Sequence, residues 1–168
     1  TFGVVYEENR IMPGSQLLPQ RYIDHIAEYG EVSGAFLANL GWSRDSRDSA
    51  LSPTRGRQQR FNLEVTFPGQ ELRYAKATYV HYWYLPLTKD YTLALSADVG
   101  YGRAIGDRPY PVFKNFHAGG INSVRGFSPN SLGPRDPNDN LPIGGLAHFA
   151  ASAEFIFPLP GTGNDKTI

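Results

Sequence analysis

The chain has 168 residues, with 16 basic and 16 acidic side chains, so its formal net charge is zero. That balance argues against a nucleic-acid partner, which needs a basic surface, and the absence of Cys excludes disulfides and thiolate chemistry. Eighteen Gly, 13 Pro and 13% aromatic residues are typical of strands joined by turns, so the composition predicts an all-β fold.

Composition alone does not decide between a soluble and a membrane protein. No apolar run approaches the roughly 20 residues of a membrane helix. A barrel strand crosses the bilayer in only about 9 to 11 residues of alternating character, which hydropathy averaging does not detect. The alternation along the chain must therefore decide.

The first third of the chain contains two predicted strands and one helix. Alternation predicts strands over residues 2–10 and 33–49, and residues 20–29 between them have helical periodicity. We expect three residues on one side of the helix: Tyr22, Ile23 and Ile26. Four residues of the second strand share its apolar face: Phe36, Ala38, Leu40 and Trp42.

Three strands follow in the middle of the chain, over residues 57–67, 72–85 and 91–102. The apolar face of the first is clear: Phe61, Leu63, Val65 and Phe67. The strand at 72–85 is mixed on both sides, so its orientation stays open. The strand at 91–102 has a small and polar face that includes Gly100 and Gly102.

A sixth strand is predicted at residues 146–157, after a long connection at residues 103–145. These strands are about twice the usual ~5 to 6 residues, which favours a transmembrane barrel. With the connection at the extracellular end, antiparallel order places an aromatic girdle at the opposite end: Trp83, Tyr84, Tyr91, Phe155 and Phe157. The alternative is a soluble sandwich with a closed core around Phe61, Leu63, Leu93 and Leu95.

Six strands cannot close a lipid-facing barrel, whose minimum is about 8, and an open sheet edge in hydrocarbon leaves backbone groups unpaired. We therefore expect residues 1–168 to form a partial β-barrel domain of a larger antiparallel barrel.

The connection at residues 103–145 is the candidate functional segment, because structureless connections of that length are uncommon and usually functional. Gly119, Gly120 and Gly126 permit positive φ, and Phe116 and Phe127 are expected to be apolar anchors.

Arg125, between Val124 and Gly126, is expected in a partly enclosed place, where it needs an acidic partner. Alternation places Glu154 on the polar face of the strand after the loop, so we predict a charge-assisted hydrogen bond from Arg125 to Glu154. An exposed Arg in an ordinary Gly-rich turn is the alternative.

Several ordered landmarks resemble the BamA family of outer-membrane protein assembly factors. The loop contains Ala118-Gly119-Gly120, then Asn122-Ser123-Val124-Arg125-Gly126-Phe127, then Leu132-Gly133-Pro134. Four further landmarks lie in the same order along the chain: Gly41-Trp42 with Asp45, the turn Pro53-Thr54-Arg55-Gly56, Val65-Thr66-Phe67-Pro68-Gly69, and Glu154-Phe155-Ile156-Phe157-Pro158. Sibling translocation barrels, TamA and the two-partner secretion transporters, share an arginine-glycine-aromatic loop, but Asn122-Ser123 and Phe127 are closer to BamA.

The resemblance implies strands seven to twelve of a sixteen-stranded barrel in the bacterial outer membrane, preceded by periplasmic POTRA domains. It implies that Arg125 pairs with Glu154 and with an acidic residue beyond Ile168. The implied function is folding and insertion of nascent outer-membrane β-barrel proteins at a weak seam, without nucleotide or cofactor. The implied partners are the lipid bilayer, those nascent proteins and accessory lipoproteins.

An enzyme and a passive porin are the rival classes. Four histidines have no metal-ligand spacing: His25, His81, His117 and His148. Ser152 lacks a nucleophile elbow and Asp98 is expected to be a hydrogen-bonding lumen residue. The turn at residues 136–140 lacks calcium-loop spacing and is expected to be solvated. We therefore predict no catalytic residue and no metal. A passive porin stays an alternative, because porins have the same strand pattern and also carry a loop folded into the lumen.

Overall fold

The computed structural model describes residues 1–12, 19–121, 123–158 and 166–167. Its elements follow in chain order: β1 (Phe2–Arg10), α1 (Gln20–Tyr29), β2 (Val32–Asp45), β3 (Gly56–Thr66), β4 (Tyr74–Pro86), β5 (Thr92–Ala104), a 3-10 turn (Val112–Lys114), β6 (Ala147–Pro158) and the two-residue β7 (Lys166–Thr167). The strands form one antiparallel sheet in which each strand pairs with its neighbours in sequence. The predicted all-β class is confirmed.

The register of the sheet collects the apolar residues on one face, which we call the outer face. One row of paired residues crosses all six long strands on this face: Phe2, Leu40, Leu63, Ala77, Tyr101 and Ala147. A row on the opposite, inner face is polar or small: Gly3, Asn39, Glu64, Lys76 and Gly102. Because paired residues share a face, β4 is now oriented.

The outer face is exposed, whereas the buried residues lie on the inner side. Phe2 is 71% exposed and Phe149 is 73% exposed. The buried apolar cluster comes from α1, β2, β4 and the turn before β4: Tyr29, Ala35, Leu37, Leu72 and Tyr74. Phe61, Leu63, Leu93 and Leu95 are not in this cluster, so the described residues do not form the closed core of a soluble sandwich.

Two details of the sequence prediction are wrong. β2 ends at Asp45 rather than at residue 49, because the chain turns where Asp45 pairs with Arg47. The helix α1 spans the predicted residues 20–29. Its buried residues are His25 and Tyr29, whereas Ile23 is 47% exposed, because the helix packs against β2 and the 3-10 turn.

The second correction concerns the predicted girdle. Trp83 is on the outer face with Leu95, but Tyr84 pairs with Ala94 and therefore lies on the inner face. The ring of Tyr91 stacks on that of Phe155 at 5.5 Å. The described part of the chain contains no helix of the length and apolarity needed to cross a membrane.

Candidate functional site

The long loop, residues 105–146 between β5 and β6, folds onto the inner face of the sheet. The ring of Phe116 lies over Gly100, and the ring of Tyr110 lies over Gly102. A Cβ atom at either glycine would collide with the ring above it. The loop can dock here because β5 has no side chains at these two positions.

The first part of the loop, which we call the loop base (residues 110–118), is held by Lys114. The Nζ atom of Lys114 lies 2.8 Å from Glu7 Oε2 on β1 and 3.2 Å from Glu64 Oε2 on β3. It also lies 5.4 Å from the centroid of the Tyr74 ring on β4. One side chain of the loop thus contacts three strands.

The backbone of Lys114 is held as well as its side chain. Its carbonyl accepts hydrogen bonds from Lys76 Nζ at 2.9 Å and from the Tyr110 hydroxyl at 3.2 Å. Lys76 Nζ in turn lies 4.4 Å from the centroid of the Phe116 ring. These contacts connect the lysine cluster to the packing of Phe116 on β5.

The charges of this cluster balance, since two ammonium groups face two carboxylates. The Lys114 side chain is only 12% exposed. Burial by itself lowers the pKa of Lys114, but the contacts with Glu7 and Tyr74 outweigh it and hold the pKa above its ordinary value. Lys114 is therefore a charged, satisfied residue rather than an isolated buried cation.

Sequence reasoning missed Lys114. A signal was present, because Glu7 and Glu64 occupy inner-face positions of predicted strands, and two partly enclosed carboxylates require a cation. No feature of the sequence near Lys114 identifies it as that cation. The two glutamates therefore predict a nearby cation without predicting which residue supplies it.

The second part of the loop, the loop tip (residues 119–128), contains the predicted glycines. Gly119, Gly120 and Gly126 all adopt positive φ. A Cβ on Gly119 would lie 2.5 Å from the carbonyl oxygen of Ser128, so only glycine fits there. The tip is closed by a 3.0 Å hydrogen bond from the Gly120 N–H to the Phe127 carbonyl.

The structure brings Arg125 and Glu154 together. Arg125 Nη2 lies 2.8 Å from Glu154 Oε1, and Glu154 is on the inner face of β6 as alternation predicts. The Arg125 side chain is 68% exposed and that of Glu154 is 32% exposed. The contact is an ion pair at the surface of the described residues, and its functional role stays a prediction.

Two expectations about the tip need correction. Arg125 is not enclosed by the described strands, since its side chain is 68% exposed and the side chain of its partner Glu154 is 32% exposed. Phe127 is 52% exposed and does not anchor the tip, whereas Phe116 does pack on β5. Val124 is partly buried, and Asn122 lies outside the described residues.

Glu154 also borders a cleft of about 240 Å³ between β4–β6 and the turn at residues 46–55, together with Arg47 and Tyr84. Asp48 orders this turn by accepting hydrogen bonds from the Thr54 hydroxyl and from the N–H groups of Thr54 and Arg55. These bonds, that of the Thr54 hydroxyl first, lower the pKa of Asp48 to about 2.

The remaining candidate residues do not assemble a reaction centre in the part of the chain that the structure describes. His148 Nε2 lies 3.8 Å from Asp98 Oδ2. Asp98 pairs with Ala150, and Ser152 is two residues further along β6. No group of three or more His, Asp or Glu side chains within the described ranges could hold a metal ion.

The prediction of a solvated turn at residues 136–140 is wrong for Asp136, which is 2% exposed. Its carboxylate accepts hydrogen bonds from the N–H of Asn138 at 2.9 Å and from the N–H of Arg21 at 3.3 Å. Asp136 therefore ties the loop to the start of α1 instead of facing water.

An antiparallel sheet with an exposed apolar face, and with a loop folded onto its polar face, defines a segment of a transmembrane β-barrel. Membership of a family follows from sequence. The chain belongs to the Omp85 superfamily, whose domain matches residues 1–168.

The chain is 36% identical over 182 residues to the outer membrane protein assembly factor BamA of Neisseria meningitidis serogroup B, covering 99% of this chain and 22% of that protein. It is 31% identical over 165 residues to a SAM50-like protein of Schizosaccharomyces pombe, covering 90% of this chain and 34% of that protein. The resemblance to the BamA family is confirmed.

The fold is that of BamA from Haemophilus ducreyi lacking POTRA domains 1-3, with a TM-score of 0.85 at 22% identity over 96% of this chain and 34% of that one. The chain thus spans between about a fifth and a third of the length of the proteins it matches.

Proposed function

We propose that this chain is part of an outer-membrane protein assembly factor, which folds and inserts β-barrel proteins into the outer membrane of a Gram-negative bacterium. The observation that supports this most is the loop folded onto the inner face with Arg125 paired to Glu154 across 2.8 Å. The similarity to BamA over 99% of the chain favours this function over others of the same fold.

In this proposal the six long strands supply barrel wall, and the loop braces that wall from inside. The loop base connects β1, β3 and β4 through Lys114, and the tip reaches β6 through Glu154. A braced wall keeps its strand pairing while another part of the barrel opens to template an incoming strand. The partners are the lipid bilayer, nascent β-barrel proteins and lipoproteins that bind POTRA domains; no nucleotide or cofactor takes part.

Charge reversal in the full-length protein tests this role. Arg125→Glu and Glu154→Arg should each reduce the folded fraction of a resident porin, measured by heat-modifiable mobility in cells that depend on the variant. The double variant should recover most of that fraction, because the pair is rebuilt with opposite polarity. A double variant as defective as the two single changes combined would rule out direct pairing.

Arg55→Glu is the matched control, because Arg55 carries the same charge but forms no ion pair among the described residues, so the change should leave porin assembly unchanged. If the protein were a passive porin, it would instead conduct ions in planar bilayers, and Arg125 variants would leave the insertion of other proteins unchanged. The sibling translocation barrels are distinguished by the number of POTRA domains in the full-length protein.

A further inference from the structure

The outer face of β2 and β3 changes character as these strands approach the turn at residues 46–55. Trp42 pairs with Phe61 in the last apolar row of these two strands. The next outer-face row pairs Arg44 with Gln59. Arg57 is on the same face of β3, two residues closer to the turn than Gln59. On these two strands the apolar belt therefore ends in two guanidinium groups.

Neither guanidinium forms an ion pair with the described residues. Arg57 lies with its Cζ 4.4 Å from the centroid of the Trp83 ring, a contact that orients it but does not neutralise its charge. The acidic residues closest in sequence are already engaged, since Asp45 pairs with Arg47 at 2.7 Å and Asp48 accepts from Thr54. Two cations on a lipid-facing surface are thus left without an anion among the described residues.

A row of polar and aromatic groups continues from these arginines onto β4. Gln59 Nε2 donates to the Tyr79 hydroxyl at 2.8 Å, and that hydroxyl lies 3.2 Å from His81 Nδ1. His81 Nε2 is buried and has no hydrogen-bond partner among the described residues. Tyr, His and Trp with an apolar body and a polar end are favoured at the headgroup level of a membrane.

We propose that Arg44 and Arg57 form a binding site for the phosphate of a glycerophospholipid, in the leaflet next to the turn at residues 46–55. Diagonal neighbours on paired strands are roughly 7 to 8 Å apart, a separation that two long side chains can close around one phosphate. Guanidinium groups bind phosphate oxygens in pairs. Their aliphatic stems cover the apolar belt below while the charges reach the headgroup.

The test uses the full-length protein in detergent, titrated with phosphatidylglycerol and followed by native mass spectrometry. The double variant Arg44→Gln with Arg57→Gln should bind this lipid roughly 30-fold more weakly, because each arginine beside an anionic headgroup contributes a factor of about five to the affinity. Arg60→Gln is the matched control, since Arg60 is on β3 but faces inward, and its affinity should change less than about twofold.

Three results would overturn the proposal: equal affinity of the wild type and the double variant, an equal loss in Arg60→Gln, or saturable binding of lipid A without binding of the phospholipid. The Arg44→Lys with Arg57→Lys variant guards against misfolding, because it keeps both charges. It should bind several-fold more weakly than the wild type through loss of paired hydrogen bonds, and unchanged affinity would also overturn the proposal. None of these results bears on the proposed assembly function.

Discussion

The loop base and the loop tip are attached to the barrel wall in different ways. At the base, Lys114 is 12% exposed and contacts two carboxylates, and its carbonyl accepts from Lys76. At the tip, Arg125 is 68% exposed and contacts one carboxylate. Buried charges are costly to separate, whereas exposed ion pairs contribute little to stability. We therefore infer that the base is the stronger attachment and that the tip is the weaker one.

The comparison separates stability from function within a single loop. Loss of a base contact should destabilise the folded barrel, and loss of the tip contact should change activity with little effect on stability. Four measurements, each on the full-length protein, test this division, and the largest effect is expected where a buried charge loses its partner.

That largest effect is expected for Lys114→Met, which leaves Glu7 and Glu64 without their cation. We expect a loss of about 3 kcal/mol in the free energy of unfolding, at the lower end for broken buried pairs because both carboxylates remain partly exposed. Urea unfolding in lipid vesicles, followed by Trp fluorescence, measures it. Adding Glu7→Gln and Glu64→Gln should restore much of the loss; no recovery would mean that packing rather than charge holds the base.

Gly100→Ala tests the aromatic contact of the base. The new Cβ would occupy the position of the Phe116 ring, and overpacking of this kind costs about 1 to 3 kcal/mol. Gly3→Ala is the matched control, because Gly3 is on the inner face of β1 and an added methyl group there would have no neighbouring atom within 4 Å among the described residues. Equal unfolding midpoints for the two variants would contradict close docking of the loop on β5.

The pH dependence of the free energy of unfolding tests the attachment of the loop base through Lys114. The pKa of Lys114 in the folded state is above its ordinary value of 10.5, so its stabilising contribution is complete below pH 10.5 and is lost as the pH rises through the folded-state pKa. Between about pH 10.5 and 11.5 the wild type should lose about 1 kcal/mol relative to Lys114→Arg, whose guanidinium stays protonated. Parallel stability curves for the two proteins would show that Lys114 is not held as a cation.

The smallest effect on stability is expected for Arg125→Gln. An exposed ion pair contributes about 0 to 1 kcal/mol, so the urea midpoint should hardly move. Amide hydrogen exchange should increase at residues 119–128 and stay unchanged at residues 110–118. Faster exchange in both segments would mean that the tip also holds the base, and the proposed division of the loop would be wrong.

The strand pattern is readable from sequence because side chains alternate with period two in any strand. Phe61, Leu63 and Val65 can therefore be assigned to one face of their strand, and Glu154 to the polar face of its own, from the alternation alone. β4 cannot be oriented in this way, since both of its faces carry aromatic residues. Its orientation follows from pairing, because Tyr79 lies opposite Phe61 and Val99.

The loop shows the same limit more strongly. Positive φ at Gly119, Gly120 and Gly126 was predictable from residue type. The role of Lys114 was not, because its two carboxylates are 107 and 50 residues away in sequence and no local rule connects them.

The amino-acid sequence by itself determined the all-β class, the apolar and polar faces of most strands and the family of the chain, because these depend on short-range alternation and on ordered motifs. Only the tertiary structure decided which loop residue is the buried anchor and how exposed Arg125 is. Those properties depend on which strands meet beneath the loop, and burial and charge pairing exist only after distant segments have come together.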